Sequence, residues 1–203
     1  MDIQHLIEIS MKDHDHLCPR QILGIRIGLA GMMAVGFHEP TGNKQLLTFV
    51  ETDGCFVDGV IAATGCTVGH RTLRVEDYGK VAATFINVQT GHAVRVSPRQ
   101  DVRERASAFI PEEPRHYFAQ LLAYQSMPDE KMFLFQEVTL KKSIGEIVSR
   151  PGLRVCCSQC GEEIMNEREI IRDGVPYCRA CSGDGYYNPM KMFSSRFSMI
   201  DLI

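Results

Sequence analysis

Clustered positive charge is missing from this 203-residue sequence, whose formal net charge is −3. Up to Gly152 there are 16 basic and 18 acidic residues, with 6 and 7 beyond it. Neither part carries the electrostatic footprint of non-specific nucleic-acid binding, although a small local patch stays open. Long apolar runs are missing too. The longest, Ile22 to Phe37, is broken by Arg26 and is too short to span a bilayer comfortably. The first residues show no basic segment followed by an apolar core and a small-residue cleavage site, so a soluble, cytoplasmic protein is expected. No glycine-rich phosphate motif occurs. Cysteine, by contrast, is plentiful. Eight cysteines in a reducing compartment are better explained as metal ligands or reactive thiols than as disulfides. The 44% of hydrophobic residues suffice for a packed core.

Polar chemistry concentrates first at Asp13-His14-Asp15-His16-Leu17-Cys18-Pro19-Arg20. If this stretch runs extended, His14, His16 and Cys18 share one face through the two-residue strand period and could converge on one metal ion. Pro19 suits the first turn of a helix, which puts Cys18 at a helix N-terminus, where the dipole and free N–H groups favour a thiolate. The plain alternative is a polar turn with one buried Cys. A second concentration runs from Glu51 through Asp53, Cys55 and Asp58 to Cys66 and His70. Cys55 falls at a strand-to-helix junction and is the better partner for Cys18. Cys66, at the far end of the same helix, is either a second reactive position or a small residue packed in a turn. The candidate catalytic set is therefore His16, Cys18, Cys55 and Asp53, with Asp15 or Asp53 supporting the metal or moving protons.

Taken in order, the chain predicts a helix from Ile3 and a buried helix from about Pro19 to Gly36, in which Gly24 and Gly28 allow close backbone approach. Strands are expected at Gln45–Thr52, Val81–Gln89 and His92–Ser97, the last two joined at Thr90-Gly91. A charged helix after Pro98, a helix from Glu113 to Met127 and a strand from Leu134 to Leu140 follow. The irregular mixing of strands and helices indicates an α+β fold with a mixed sheet.

Composition changes at Ser149-Arg150-Pro151-Gly152, dividing a 1–150 core from a 151–203 appendage. In the latter, Cys157-x-x-Cys160 and Cys178-x-x-Cys181 have the spacing of a four-thiolate zinc site. Asp173-Gly174 between β-forming runs marks a hairpin, so the appendage reads as a zinc ribbon whose closed coordination makes the zinc structural. Cys156 could replace Cys157 only at the cost of a less favourable spacing. The tail from Tyr186 to Ile203 is apolar enough to pack on its own core or on a partner subunit.

His14-x-His16-x-Cys18-Pro19, the segment from Asp53-Gly54-Cys55 through Asp58 to Thr64-Gly65-Cys66-Thr67, and Asp77-Tyr78-Gly79-Lys80 together resemble the FmdE family, named for a component of formylmethanofuran dehydrogenase. The likeness covers roughly residues 10 to 140, and the ribbon resembles the zinc finger some members add. The resemblance implies an α+β core, an intertwined homodimer, and association with the molybdenum or tungsten enzyme that fixes CO₂ as formylmethanofuran. Three positions depart from the family pattern: Arg20 in place of Gly, Ile61 in place of Gln, and His70-Arg71-Thr72 in place of a Lys-Gly-Asn-like run. The implied role is an accessory redox or catalytic subunit with a second, transition metal in the core. The alternative is a zinc-ribbon regulator or adaptor that senses metal and contacts protein or nucleic acid.

Overall fold

The structure, a computed structural model, describes residues 2–12, 14–41, 43–147 and 152–188. The chain divides into two compact units, Met1–Val148 and Ser149–Ile203.

The first unit is α+β. Helix α1 (Ile3–Ser10) starts at Asp2, whose carboxylate accepts from the Gln4 N–H at 3.1 Å. Helix α2 (Pro19–Ala34) follows, then strand β1 (Leu46–Val50), helix α3 (Cys55–Thr64), and strands β2 (Leu73–Val75), β3 (Ala83–Asn87) and β4 (Ala93–Pro98). Helices α4 (Val102–Phe109), α5 (His116–Ser126) and α6 (Asp129–Met132), strand β5 (Phe133–Glu137) and helix α7 (Ile144–Ile147) complete it. The sheet order is β2-β1-β3-β4-β5, with β1 and β2 parallel and the other pairs antiparallel. Strand β2 lies where the sequence reads as a charged turn. It is too short for alternation to show and forms because β1 is there to pair with. His92, expected on a strand, ends the turn before β4.

Alternation along the strands separates two cores. Leu46, Val50, Phe85, Val94 and Val96 face α2 and α3 and pack with Ile22, Phe56 and Val60. Leu47, Ile86 and Ala93 point the other way and are covered by Ile144 and Ile147 of α7. Full burial of each Val, Leu, Ile or Phe among them is worth about 1.5–3 kcal/mol.

The contact between α2 and α3 decides where the chemistry sits. A Cβ on Gly24 would lie 2.1 Å from the Phe56 carbonyl oxygen, one on Gly59 would lie 2.2 Å from the Gln21 carbonyl oxygen, and one on Gly28 would lie 2.7 Å from Ala63 Cβ. Gly24 lies against Phe56 and Gly59, Gly28 one turn later lies against Val60 and Ala63, and Cys18 and Cys55 meet at the two starts, so α2 and α3 run parallel, backbone against backbone, with their N-termini side by side. The sequence allows this glycine face either a place in the core or one at a dimer interface; α3 of the same chain packs on it. Arg26, the lone charge of α2 beyond its first turn, donates to the carbonyls of Tyr124 and Met127, each at 2.7 Å, and to the Asp129 carboxylate at 2.5 Å. It ties α2 to the end of α5 and gives those two carbonyls a donor.

Glu51, buried just beyond β1, accepts a bidentate pair from Arg95 at 2.5 and 2.7 Å. The carboxylate raises the Arg95 pKa above its ordinary value. The Glu51 carbonyl accepts the N–H groups of Tyr78 and Lys80 at 2.9 and 3.0 Å, and its N–H donates to the Ala82 carbonyl at 2.9 Å.

The second unit contains two hairpins, β6 (Arg154–Cys156) with β7 (Glu163–Met165) and β8 (Ile170–Arg172) with β9 (Val175–Tyr177). Asp173 and Gly174 both have positive φ, as a tight hairpin turn demands. The tail beyond Asn188, expected to pack on a core or a partner, lies outside the described residues. Among the described residues, no helix is long and apolar enough to cross a membrane.

Candidate thiol and metal sites

In the second unit, the ligand atoms of Cys157, Cys160, Cys178 and Cys181 all lie within 4.8 Å of one another. The sulfurs of Cys160 and Cys178 are 3.9 Å apart, close to the about 3.8 Å edge of a tetrahedron with 2.3 Å zinc–sulfur bonds. Each knuckle is shaped by its backbone. Gly161, at φ +76°, donates to the Cys157 carbonyl at 2.9 Å, and the N–H groups of Cys178 and Cys181 point at the sulfurs of Cys157 and Cys178 at 3.3 and 3.4 Å. The Cys160 and Cys178 backbone groups lower the Cys157 pKa to about 6, whereas the Cys178 thiol and desolvation push Cys181 up to about 12. A divalent cation bound here would settle this imbalance by holding all four as thiolates. Cys156 is exposed on β6, while Cys157 is buried, which makes Cys157 the ligand.

In the first unit, the sulfurs of Cys18 and Cys55 lie 2.8 Å apart. Cys18 is the N-cap of α2, its sulfur accepting the Gln21 N–H at 3.3 Å. Cys55 opens α3 behind Gly54, whose φ of +75° suits glycine. The two cysteines are 37 positions apart in the chain, and the glycine-mediated contact of α2 with α3 brings them together. Desolvation, the hydrogen bond from Cys18 and the Cys18 charge push the Cys55 pKa up to about 11, with Arg20 opposing. The helix start at Cys55 therefore does not lower its pKa, because burial and a second thiol outweigh the dipole.

His14 has its own partner on α3, Nε2 lying 2.9 Å from the Asp58 carboxylate. Asp58 is three residues beyond Cys55, on the same face of α3; that helical offset is the signal that could have singled it out. The run from His14 to Cys18 is not extended. It bends at Asp15 and His16, so the alternation that would align His14, His16 and Cys18 is lost. His16 and Asp53 are exposed. Among the described residues, the four ribbon cysteines form the one set of three or more His, Cys, Asp or Glu ligand atoms gathered this tightly. Cys66 is buried, with its sulfur 3.5 Å from the Leu46 carbonyl oxygen, and burial raises its pKa. It packs in the turn after α3.

A cleft of about 660 Å³ opens at the thiol pair, lined among others by Arg20, Arg99, Arg103, Tyr117 and Gln120. Tyr117 donates to the Leu17 carbonyl at 3.1 Å. Desolvation and the charges of Cys18 and Cys55 raise its pKa. Sequence reasoning singled out Arg20 next to Cys18 but left Arg99, Arg103, Tyr117 and Gln120 out, because α4, α5 and the segment before them are distant in the chain from both thiols.

Residues 13–134 match the family described as FmdE, molybdenum formylmethanofuran dehydrogenase operon. The chain belongs to the FmdE family. Residues 150–186 match the prokaryotic DksA/TraR C4-type zinc finger, so this FmdE-family protein carries a four-cysteine zinc-finger site after its core. It is 28% identical over 194 residues to a protein of Archaeoglobus fulgidus named "Probable S-adenosyl-L-methionine-binding protein". That alignment takes in 85% of this chain, which spans about half (51%) of the relative's length. Its fold is similar to that of a solved tungsten formylmethanofuran dehydrogenase FmdE-like protein from Syntrophus aciditrophicus. That likeness has a TM-score of 0.55 and 23% identity, and covers 92% of this chain and 95% of the other.

Proposed function

We propose that the FmdE-like core is an accessory redox or catalytic subunit linked to formylmethanofuran dehydrogenase-type chemistry, working through Cys18 and Cys55. The observation that carries this reading is the 2.8 Å separation of the two sulfurs at an open cleft. This lies between the about 2.05 Å of a disulfide and the about 3.8 Å between thiolates on one tetrahedral ion, so small side-chain movements reach either state. In this reading the pair holds a transition metal, with His14 and His16 as further donors and His16 and Asp53 handling protons. The donor set suits a soft or borderline ion. With Asp58 accepting from Nε2, His14 keeps the lone pair of Nδ1 for a ligand, the carboxylate–histidine arrangement that orients metal-bound imidazoles. A metal held there would supply Lewis-acid or electron-transfer chemistry to the cleft.

Metal analysis of the purified full chain tests this. Wild type should carry core metal in addition to ribbon zinc, and Cys18→Ser should lose the core metal while keeping the zinc. Core affinity should fall with falling pH, because protons compete for the donors. Equal metal content in wild type and Cys18→Ser would sink the reading.

A second reading, a ribbon-based regulator or adaptor, draws support from Tyr186 and Tyr187, which are exposed beside Cys178. In either reading the protein works as a homodimer, with the apolar tail as part of the interface. Truncation after Gly185 should weaken association, and sedimentation giving the same mass with and without the tail would remove that proposal.

A further inference from the structure

The arginines of the first unit fall into two groups. Arg26, Arg95, Arg105 and Arg115 each pair with a carboxylate, and Arg71 and Arg74 are also engaged. Arg20, Arg99 and Arg103 have no side-chain hydrogen bond or ion pair among the described residues, and all three line the cleft at Cys18 and Cys55. One carboxylate, Glu104, shares that lining, and Asp101, close to Arg99, is already held by Arg105 at 2.7 Å. The cleft thus concentrates excess positive charge within a protein whose overall charge is negative. Guanidinium forks bind carboxylate and phosphate through paired N–H donors. Tyr117 and Gln120 add neutral polar groups, and Leu23, Val81 and Val102 supply an apolar wall. A volume of about 660 Å³ falls in the range of roughly 300–1,000 Å³ typical of small-molecule sites.

We propose that this cleft binds a small molecule through an oxyanionic group, carboxylate or phosphate, held by Arg20, Arg99 and Arg103 so that the rest of the molecule faces Cys18 and Cys55. The proposal rests on Cys18 and Cys55 being the working groups of the core. It does not depend on whether they hold a metal. The three arginines come from α2 and from the segment that begins α4, so the site is assembled by packing and leaves no local motif.

The test compares alkylation of Cys18 and Cys55 in the reduced full chain by iodoacetate, an anion, and by iodoacetamide, its neutral analogue. Rates are read by peptide mass spectrometry and normalised to glutathione. The normalised preference for the anion should be about tenfold, as expected for a charge-lined cleft. It should fall stepwise in Arg20→Gln, Arg103→Gln and the triple variant with Arg99→Gln, and be suppressed by salt. Acetate and inorganic pyrophosphate as competitors separate the two oxyanion classes, the better competitor naming the class. If bound metal blocks alkylation, calorimetric titration of the same two anions into wild type and Arg20→Gln gives the same comparison. An unchanged preference in the triple variant, or equal anion binding by wild type and Arg20→Gln, would overturn the proposal. Failure of the thiol–metal reading would appear separately, as unaltered metal content in Cys18→Ser alongside an intact anion preference.

Discussion

The ribbon and the core both gather cysteine sulfurs, but by different means. In the ribbon, each pair of ligands comes from a turn of four residues, and two hairpins bring the knuckles together. In the core, two thiols 37 residues apart meet because α2 and α3 pack in parallel at glycine. One site is written into local spacing, and a bound metal would supply much of the folding free energy of so small a unit. The other is written into helix packing and stands assembled by the core itself. Cation demand differs accordingly: four thiols within 4.8 Å call for a cation, whereas two can share a proton.

Mutation should expose this difference most strongly at Cys160. Cys160→Ser should abolish ribbon zinc and unfold that unit, since structural zinc contributes about 10 kcal/mol or more to domains of this size. The core should keep its melting transition, and limited proteolysis with zinc analysis reads both. Full zinc content with undiminished protease protection would refute the assignment. Gly24→Ala should act on the other unit, destabilising the core by about 3 kcal/mol through overpacking against the Phe56 carbonyl and parting Cys18 from Cys55, with ribbon zinc unchanged. Urea denaturation and thiol cross-linking report these effects; a fully stable variant would mean the helices are not held in this contact. The smallest effect concerns pH. Cys55 rises from an ordinary 9.0 to about 11 in the folded protein. Its contribution in the reduced, metal-free core is thus complete below pH 9 and lost as pH climbs through 11, by about 1–2 kcal/mol once the shift is discounted for solvent screening of a half-buried thiol. Cys55→Ser should flatten that part of the stability profile.

How far each site could be read from sequence follows the same division. The two C-x₂-C pairs and the Asp173-Gly174 turn disclose the ribbon because all their determinants are local. Pro19 likewise discloses Cys18 as a helix cap, and the glycines of α2 disclose a close contact without naming its partner. What alternation suggested for His14, His16 and Cys18 did not survive the bend at Asp15 and His16. The pairing of His14 with Asp58, the parallel strand β2 and the arginines of the cleft all depend on tertiary neighbours, which periodicity does not encode.

Glu51 carries a lesson for the segment Asp77-Tyr78-Gly79-Lys80. That loop is hung from one carbonyl by the backbone N–H groups of Tyr78 and Lys80, while the two side chains remain exposed. Exchanging either side chain leaves the suspension intact, because any residue other than proline brings the same N–H. The loop is therefore a display position, held by main chain and free in its lettering, and substitutions there report on what the side chain meets outside the fold.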